Sequence, residues 1–384
     1  MNFGPQASST SAGGAATTLL CALALAACVE EPPAPEVWSW DLPEGFPTPE
    51  VPADNPMSAA KVELGRHLFY DPRLSGDGTI ACATCHQQAR AFTNGEAAAT
   101  GSAGQRTPRS PMSLANVAYA STLSWGNPLL VDLETQALIP LFGEDPAEMG
   151  GAGRWDEIEA RLVADPLYAR AFAAAFPGDP EPISLLNVTR ALACFERALI
   201  SSRSPLDRHR AGDEGALGAA ARRGMALFES PEVGCAACHG GVLFTDAVAG
   251  EGEAPFHRVG LAEAAYLPPN RGVAEISGRP EDEGRFKAPT LRNIALTAPY
   301  MHDGSIATLE EVVEHFAAGG AGEAGQPALA GFELTDGQRA DLLAFLRSLT
   351  DEDFVTDARF SNPWIEGQIA EPAGSKIPGW RMTP

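Results

Sequence analysis

Two short stretches carry residue types that could do chemistry. "ACATCHQQ" (81–88) places Cys82, Cys85 and His86 within five positions, and "GCAACHGG" (234–241) does the same with Cys235, Cys238 and His239. On a helical turn, residues i, i+3 and i+4 share one face. Two thiols spaced this way can meet the two vinyl groups of a haem, while the imidazole just beyond them reaches iron. C-x-x-C-H is the attachment signature of c-type haem. A structural zinc site would want four ligands, with a second pair close by, but these motifs lie far apart and each has its own histidine. A thioredoxin-like site would sit on a βαβ frame, and no such frame is legible here. The motifs therefore predict two covalently bound c-type haems, with His86 and His239 on the irons. Of the other cysteines, Cys21 and Cys28 lie in an apolar leader. Cys194 sits in "LLNVTRALACFERALI", a helical apolar pattern, and reads as a core thiol.

The elements that must position these motifs are helices and loops, with little strand alternation. "SAAKVELGRHLFY" (58–70) opens on a serine cap, and "TLEEVVEHFAAGG" (308–320) has a threonine cap, an acidic first turn and a glycine stop. "WDEIEARLVADPLYARAFAAAF", "ISLLNVTRALACFERALIS", "LGAAARRGMALFES" (217–230) and "LTDGQRADLLAFLRSLT" (334–350) have helical periodicity, interrupted by proline and glycine. There is an approximate repeat: "LGRHLFYDPRLS…CATCH" matches "RGMALFESPEVGCAACH" in outline. The predicted fold class is mostly α, two cytochrome-c-like haem domains packed together with long irregular loops. The predicted boundaries are a leader over 1–28, a proline-rich tether over 29–57, a first haem domain over 58–205, a second over 206–350, and a tail over 351–384 packing on the body.

The chain carries 27 Lys+Arg against 50 Asp+Glu, a net charge of −23 over 384 residues. Such a chain repels phosphate backbones, which argues against nucleic acid, and attracts basic redox or substrate proteins. The first 28 residues contain no charged side chain. Their run "TTLLCALALAAC" is too short to span a bilayer and reads as a signal-peptide core. Its end, Leu25-Ala26-Ala27-Cys28, resembles a bacterial lipobox. That resemblance implies a lipid anchor at Cys28 as the only membrane contact, on the periplasmic face.

"LFYDPRLSGDGTIACATCHQQARAFTNG" (68–95) and "FKAPTLRNIALTAPYMHDGSIATLEEVVEHF" (286–316) resemble the bacterial di-haem cytochrome c peroxidase / MauG family. "SLANVAYASTLSWGNP", "LETQALIPLFGEDPAEMG" and "NPW" (362–364) are similar to its MbnH-type branch. The resemblance implies an oxidoreductase that uses hydrogen peroxide to oxidise a tryptophan, to kynurenine, on a small copper-binding MbnP-like periplasmic protein. It also implies roles for particular residues. His86 would be proximal at the peroxidatic haem and His239 at the electron-transfer haem. Glu148 and Gln136 would be the distal pair; heterolysis of a bound peroxide needs a proton moved from its inner to its outer oxygen, which a partly desolvated carboxylate can do. Trp125 would lie between the haems. Thr297 and Pro299, with Ser110 where the family has asparagine, would hold one calcium ion. Arg292 and Lys287 are candidate partners for haem propionates.

Two departures from the family matter. The displaceable distal histidine of the classical peroxidases falls at Ser102, and no histidine occurs between 86 and 209, so the first haem should be open to peroxide without prior reduction. The sixth ligand of the second haem falls at Phe316, which cannot ligate. His315, Met301 and His257 are the candidate substitutes. His67 and His209 read as structural or solvated. Two rival functions stand: a peroxide-detoxifying peroxidase fed by a small redox protein, and a non-enzymatic electron carrier, which would want both irons six-coordinate.

Overall fold

The computed structural model describes residues 38–250, 255–321 and 329–365. The leader, Cys28, the first part of the tether and the tail beyond 365 lie outside the described residues. The helices run in chain order as α1 (Ala59–Phe69), α2 (Cys82–Cys85), α3 (Leu133–Gln136), α4 (Leu138–Phe142), α5 (Trp155–Val163), α6 (Pro166–Ala175), α7 (Leu185–Ala198), α8 (Pro205–Arg210), α9 (Ala219–Phe228), α10 (Ala274–Ser277), α11 (Leu309–Ala317), α12 (Asp336–Arg347) and α13 (Glu352–Thr356). Among the described residues the strands form one antiparallel pair, β1 (Phe256–His257) against β2 (Phe286–Lys287). Among the described residues no helix is long and apolar enough to cross a membrane.

Local chemistry sets the helix ends. The Ser58 hydroxyl accepts the Lys61 N–H and starts α1. Thr308 and Glu311 form a reciprocal capping box on α11, satisfying donors that a helix start leaves open. Asp165-Pro166 separates α5 from α6, where the Asp165 carboxylate caps the Leu167 N–H and proline suits a first helical turn.

The described residues fall within one compact unit that holds two large hydrophobic cores. One gathers residues from α1, α6, α7 and the α13 region; the other gathers α9, α11 and α12. Phe354, Val355 and Phe360 belong to the first core. The chain thus returns to its first half after completing the second.

The approximate sequence repeat corresponds to a repeated packing unit. α1 crosses α7 at Gly65, where any Cβ would overlap the Ala191 carbonyl oxygen. α9 crosses α12 at Gly224, where a Cβ would overlap that of Asp341. Four residues on, Phe69 meets Phe195 at 5.1 Å between ring centroids, and Phe228 meets Phe345 at the same 5.1 Å. Glycine at each crossing lets the backbones touch, and the aromatic pair then fills the space beside the crossing. Each haem motif follows its crossing helix through a short loop.

Candidate active site

The first motif forms a helical turn, α2, as its spacing predicts. The second forms a tighter 3₁₀ turn over Cys235–Ala237. In both, the following histidine is fixed by a backbone carbonyl. His86 Nδ1 lies 2.8 Å from the Phe92 carbonyl oxygen, and His239 Nδ1 lies 3.2 Å from that of Phe244. A carbonyl can only accept, so Nδ1 carries the proton and donates it. Each Nε2 therefore keeps its lone pair, the form a metal requires. Burial pushes both imidazoles below the usual histidine range, which favours the neutral form. Phe92 has φ 63° and Phe244 has φ 55°. Left-handed backbone is unusual for aromatic residues, and here it turns each carbonyl back onto its histidine.

Two cavities lie beside these motifs. One, of about 850 Å³, is lined by Thr93 and Met112 from beside His86 and by Leu243 and Thr245 from beside Phe244. The other, with a gross volume of about 1420 Å³ including its mouth, is lined by Cys235, Cys238 and His239 and walled by α11 and α12. Paired thiols, an imidazole with a free Nε2 and an apolar wall fit a covalently attached haem.

A family model described as di-haem cytochrome c peroxidase matches residues 59–215, and one described as cytochrome c matches residues 221–350. The methylamine utilization protein MauG of Methylorubrum extorquens is 38% identical over 320 residues, covering 81% of this chain and 83% of its own. The chain belongs to the di-haem cytochrome c peroxidase and MauG family. Cytochrome c551 peroxidase of Pseudomonas aeruginosa is 33% identical over 259 residues, covering 67% of this chain and 72% of its own. Among solved structures, a MauG-like protein associated with microbial copper homeostasis is 47% identical with a TM-score of 0.81, covering 85% of this chain and all of that one. The protein is accordingly a di-haem oxidoreductase of mostly helical fold, carrying two c-type haems.

The other expected site residues can now be placed in this di-haem frame. The Glu148 carboxylate lies close enough to bear electrostatically on both Cys82 and Cys85. Burial alone pushes it above the usual carboxylate range. Gln136 ends α3, and neither its amide nor the Glu148 carboxylate is hydrogen-bonded among the described residues. Trp125 lines both cavities, and its indole N–H donates to the Ser110 carbonyl at 2.8 Å. Ser110, Thr297 and Pro299 all line the first cavity, which has no carboxylate on its wall.

Two expectations are corrected. Arg292 does not offer its guanidinium to a propionate: it is 1% exposed, forms a two-pronged ion pair with Asp207 at 2.7 and 2.9 Å, and donates twice more to the Val242 carbonyl. His315 does not face the second cavity: its Nε2 is held 2.7 Å from the Val259 carbonyl. The wall of that cavity is instead Leu309, Val312, Val313 and Phe316, the i, i+3, i+4, i+7 stripe of α11. Of the other substitutes, His257 lines the cavity but is paired with Asp246 at 2.7 Å. That carboxylate, first, and the nearby Cys238 thiol push its imidazole up to about 10. The Met301 thioether lines both cavities.

Three contributors escaped the sequence reading. The Phe92 and Phe244 carbonyls are backbone groups, with no side-chain signal to betray them. Glu196 had a signal: it stands on the apolar stripe of α7 with Val188, Leu192 and Phe195, all buried. It bears electrostatically on Cys82, and burial pushes its carboxyl up to about 8.

Proposed function

We propose that this enzyme uses hydrogen peroxide to oxidise a protein partner at a distance, the target being a tryptophan carried to kynurenine on a small copper-binding periplasmic protein. The copper-homeostasis association of the 47% identical MauG-like structure supports the choice of partner. The haems, when bound, supply peroxide activation and electron transfer. Around them, Glu148 takes a proton from one peroxide oxygen and returns it to the other. Gln136 orients the peroxide beside it. Trp125 bridges the two cavities and offers an oxidisable ring between them. Residues 58–205 serve as the peroxidatic half and 206–350 as the electron-transfer half, with a lipid anchor at Cys28 holding the protein at the periplasmic face. Calcium at Ser110, Thr297 and Pro299 would rest on neutral oxygens, so its affinity is expected to be low and mild chelation to remove it.

The observation that carries this reading is Glu148: a carboxylate beside the first haem motif, raised by burial and bonded to no protein group. With serine at position 102, no histidine side chain from that position competes with peroxide. The second reading, peroxide removal fed by a small redox protein, is favoured by relatives named as cytochrome c peroxidases. Incubation of the holoenzyme with peroxide and a small copper-binding protein, followed by peptide mass mapping, separates the two. Kynurenine that forms only with peroxide and disappears in E148Q supports the proposal. An unmodified partner, together with rapid oxidation of a reduced small cytochrome, sinks it.

A further inference from the structure

Lys287 stands in the wall that the two cavities share. β2 carries it, in register with Phe256 of β1, and its backbone N–H donates to the Trp125 carbonyl at 2.8 Å. The residue lines both cavities. An ammonium has three N–H donors and no acceptor. One donates to the Thr122 carbonyl at 2.8 Å. Among the described residues the other two have no partner, and no carboxylate pairs with the charge. Burial alone, with no charged neighbour contributing, pushes this ammonium down to about 8. The charged groups on and just after the strand paired with it are already engaged: His257 with Asp246, and Arg258 with Glu263.

A buried cation is costly unless an anion meets it. The protein supplies none here, so the anion must arrive with whatever fills the cavity. Haem carries two propionate carboxylates, and these are its only acidic groups. Arg292, the other sequence candidate for that contact, is committed to Asp207. We infer that Lys287 is a propionate-binding cation of this enzyme, placed beside Trp125 where it meets a haem carboxylate at the junction of the two centres. It is a positioning and charge-setting residue rather than a catalytic one. Its cation offsets the propionate charge, which favours the reduced iron and raises the potential of that haem.

The test is potentiometric titration of both haems in the holoprotein for wild type, K287M, K287Q and K287R, after haem content is confirmed by the pyridine haemochrome assay. In K287M one haem is expected to shift to a more negative midpoint potential, and the haem that moves is the one whose propionate Lys287 holds. That potential should also become pH-dependent between about pH 5 and 8, since a propionate without its cation titrates in an accessible range. K287R should stay close to wild type. K287Q keeps an N–H donor but lacks the charge, and should shift as K287M does. If fully loaded K287Q keeps both wild-type potentials and their wild-type pH dependence, Lys287 serves only to hold the Thr122 carbonyl and the inference is overturned.

Discussion

Both motif histidines are set by a phenylalanine carbonyl, and the proposed function assigns the distal chemistry to two side chains, Glu148 and Gln136. E148Q should slow the reaction with peroxide by about 10²–10⁴-fold while leaving the resting visible spectrum intact, as stopped-flow mixing would report. Glu148 must be ionised to accept the first proton, and burial raises its pKa. The wild-type rate should therefore begin to fall at a higher pH than for an exposed carboxylate, and E148Q should lack that acid limb. At the second haem, Phe316 lines the cavity where the family ligand would stand. F316Y should place a phenol oxygen there and convert that haem to a low-spin spectrum; an unchanged electron paramagnetic resonance signal would show that position 316 does not reach the iron. The haem cysteines and histidines were legible because their spacing is itself the geometry of attachment. Glu148 and Gln136 were legible only through family resemblance, since eleven intervening residues impose no local rule. Arg292 and His315 were misjudged because their direction is decided by Asp207 and Val259, partners that their own helix or loop does not reveal.

At the scale of elements, the Gly65 and Gly224 crossings explain why similar sequence halves build similar supports for both motifs. The helices themselves were legible from periodicity and caps, and so was the scarcity of strands. The pairing of α1 with α7 and of α9 with α12 was not, because a glycine at a crossing reads the same as a glycine in any helix. α7 also carries the fold's least comfortable charge. Glu196 lies in the apolar stripe with its carboxyl pushed up to about 8, against about 4.3 for an ordinary glutamate. The folded state holds a proton that the unfolded chain releases. This contribution to stability is complete below about pH 4, shrinks as pH rises, and is lost above pH 8. E196Q should be more stable than wild type at pH 8, on the order of a few kcal/mol, and should flatten the stability profile between pH 5 and 8 in urea titrations. An equal slope in both proteins would mean that Glu196 is solvated in the holoprotein.

For the whole molecule, the net charge of −23 shapes encounters more than folding. A partner with a basic face should associate faster at low ionic strength, and its second-order rate of oxidation should fall steeply as salt is added. A rate that ignores salt would mean that docking relies on apolar contact instead. The two cores, the shared wall at Trp125 and Lys287, and the return of residues 354–360 to the first core belong to one body that carries both haem centres. The central claim is that the first of these centres is open to peroxide without prior reduction. Low-temperature electron paramagnetic resonance of the resting ferric holoprotein, before and after cyanide, tests it most directly. The account predicts a high-spin haem that converts to low-spin on cyanide addition with no reductant present. Two low-spin haems, both indifferent to cyanide, would contradict it and return the electron carrier as the better description.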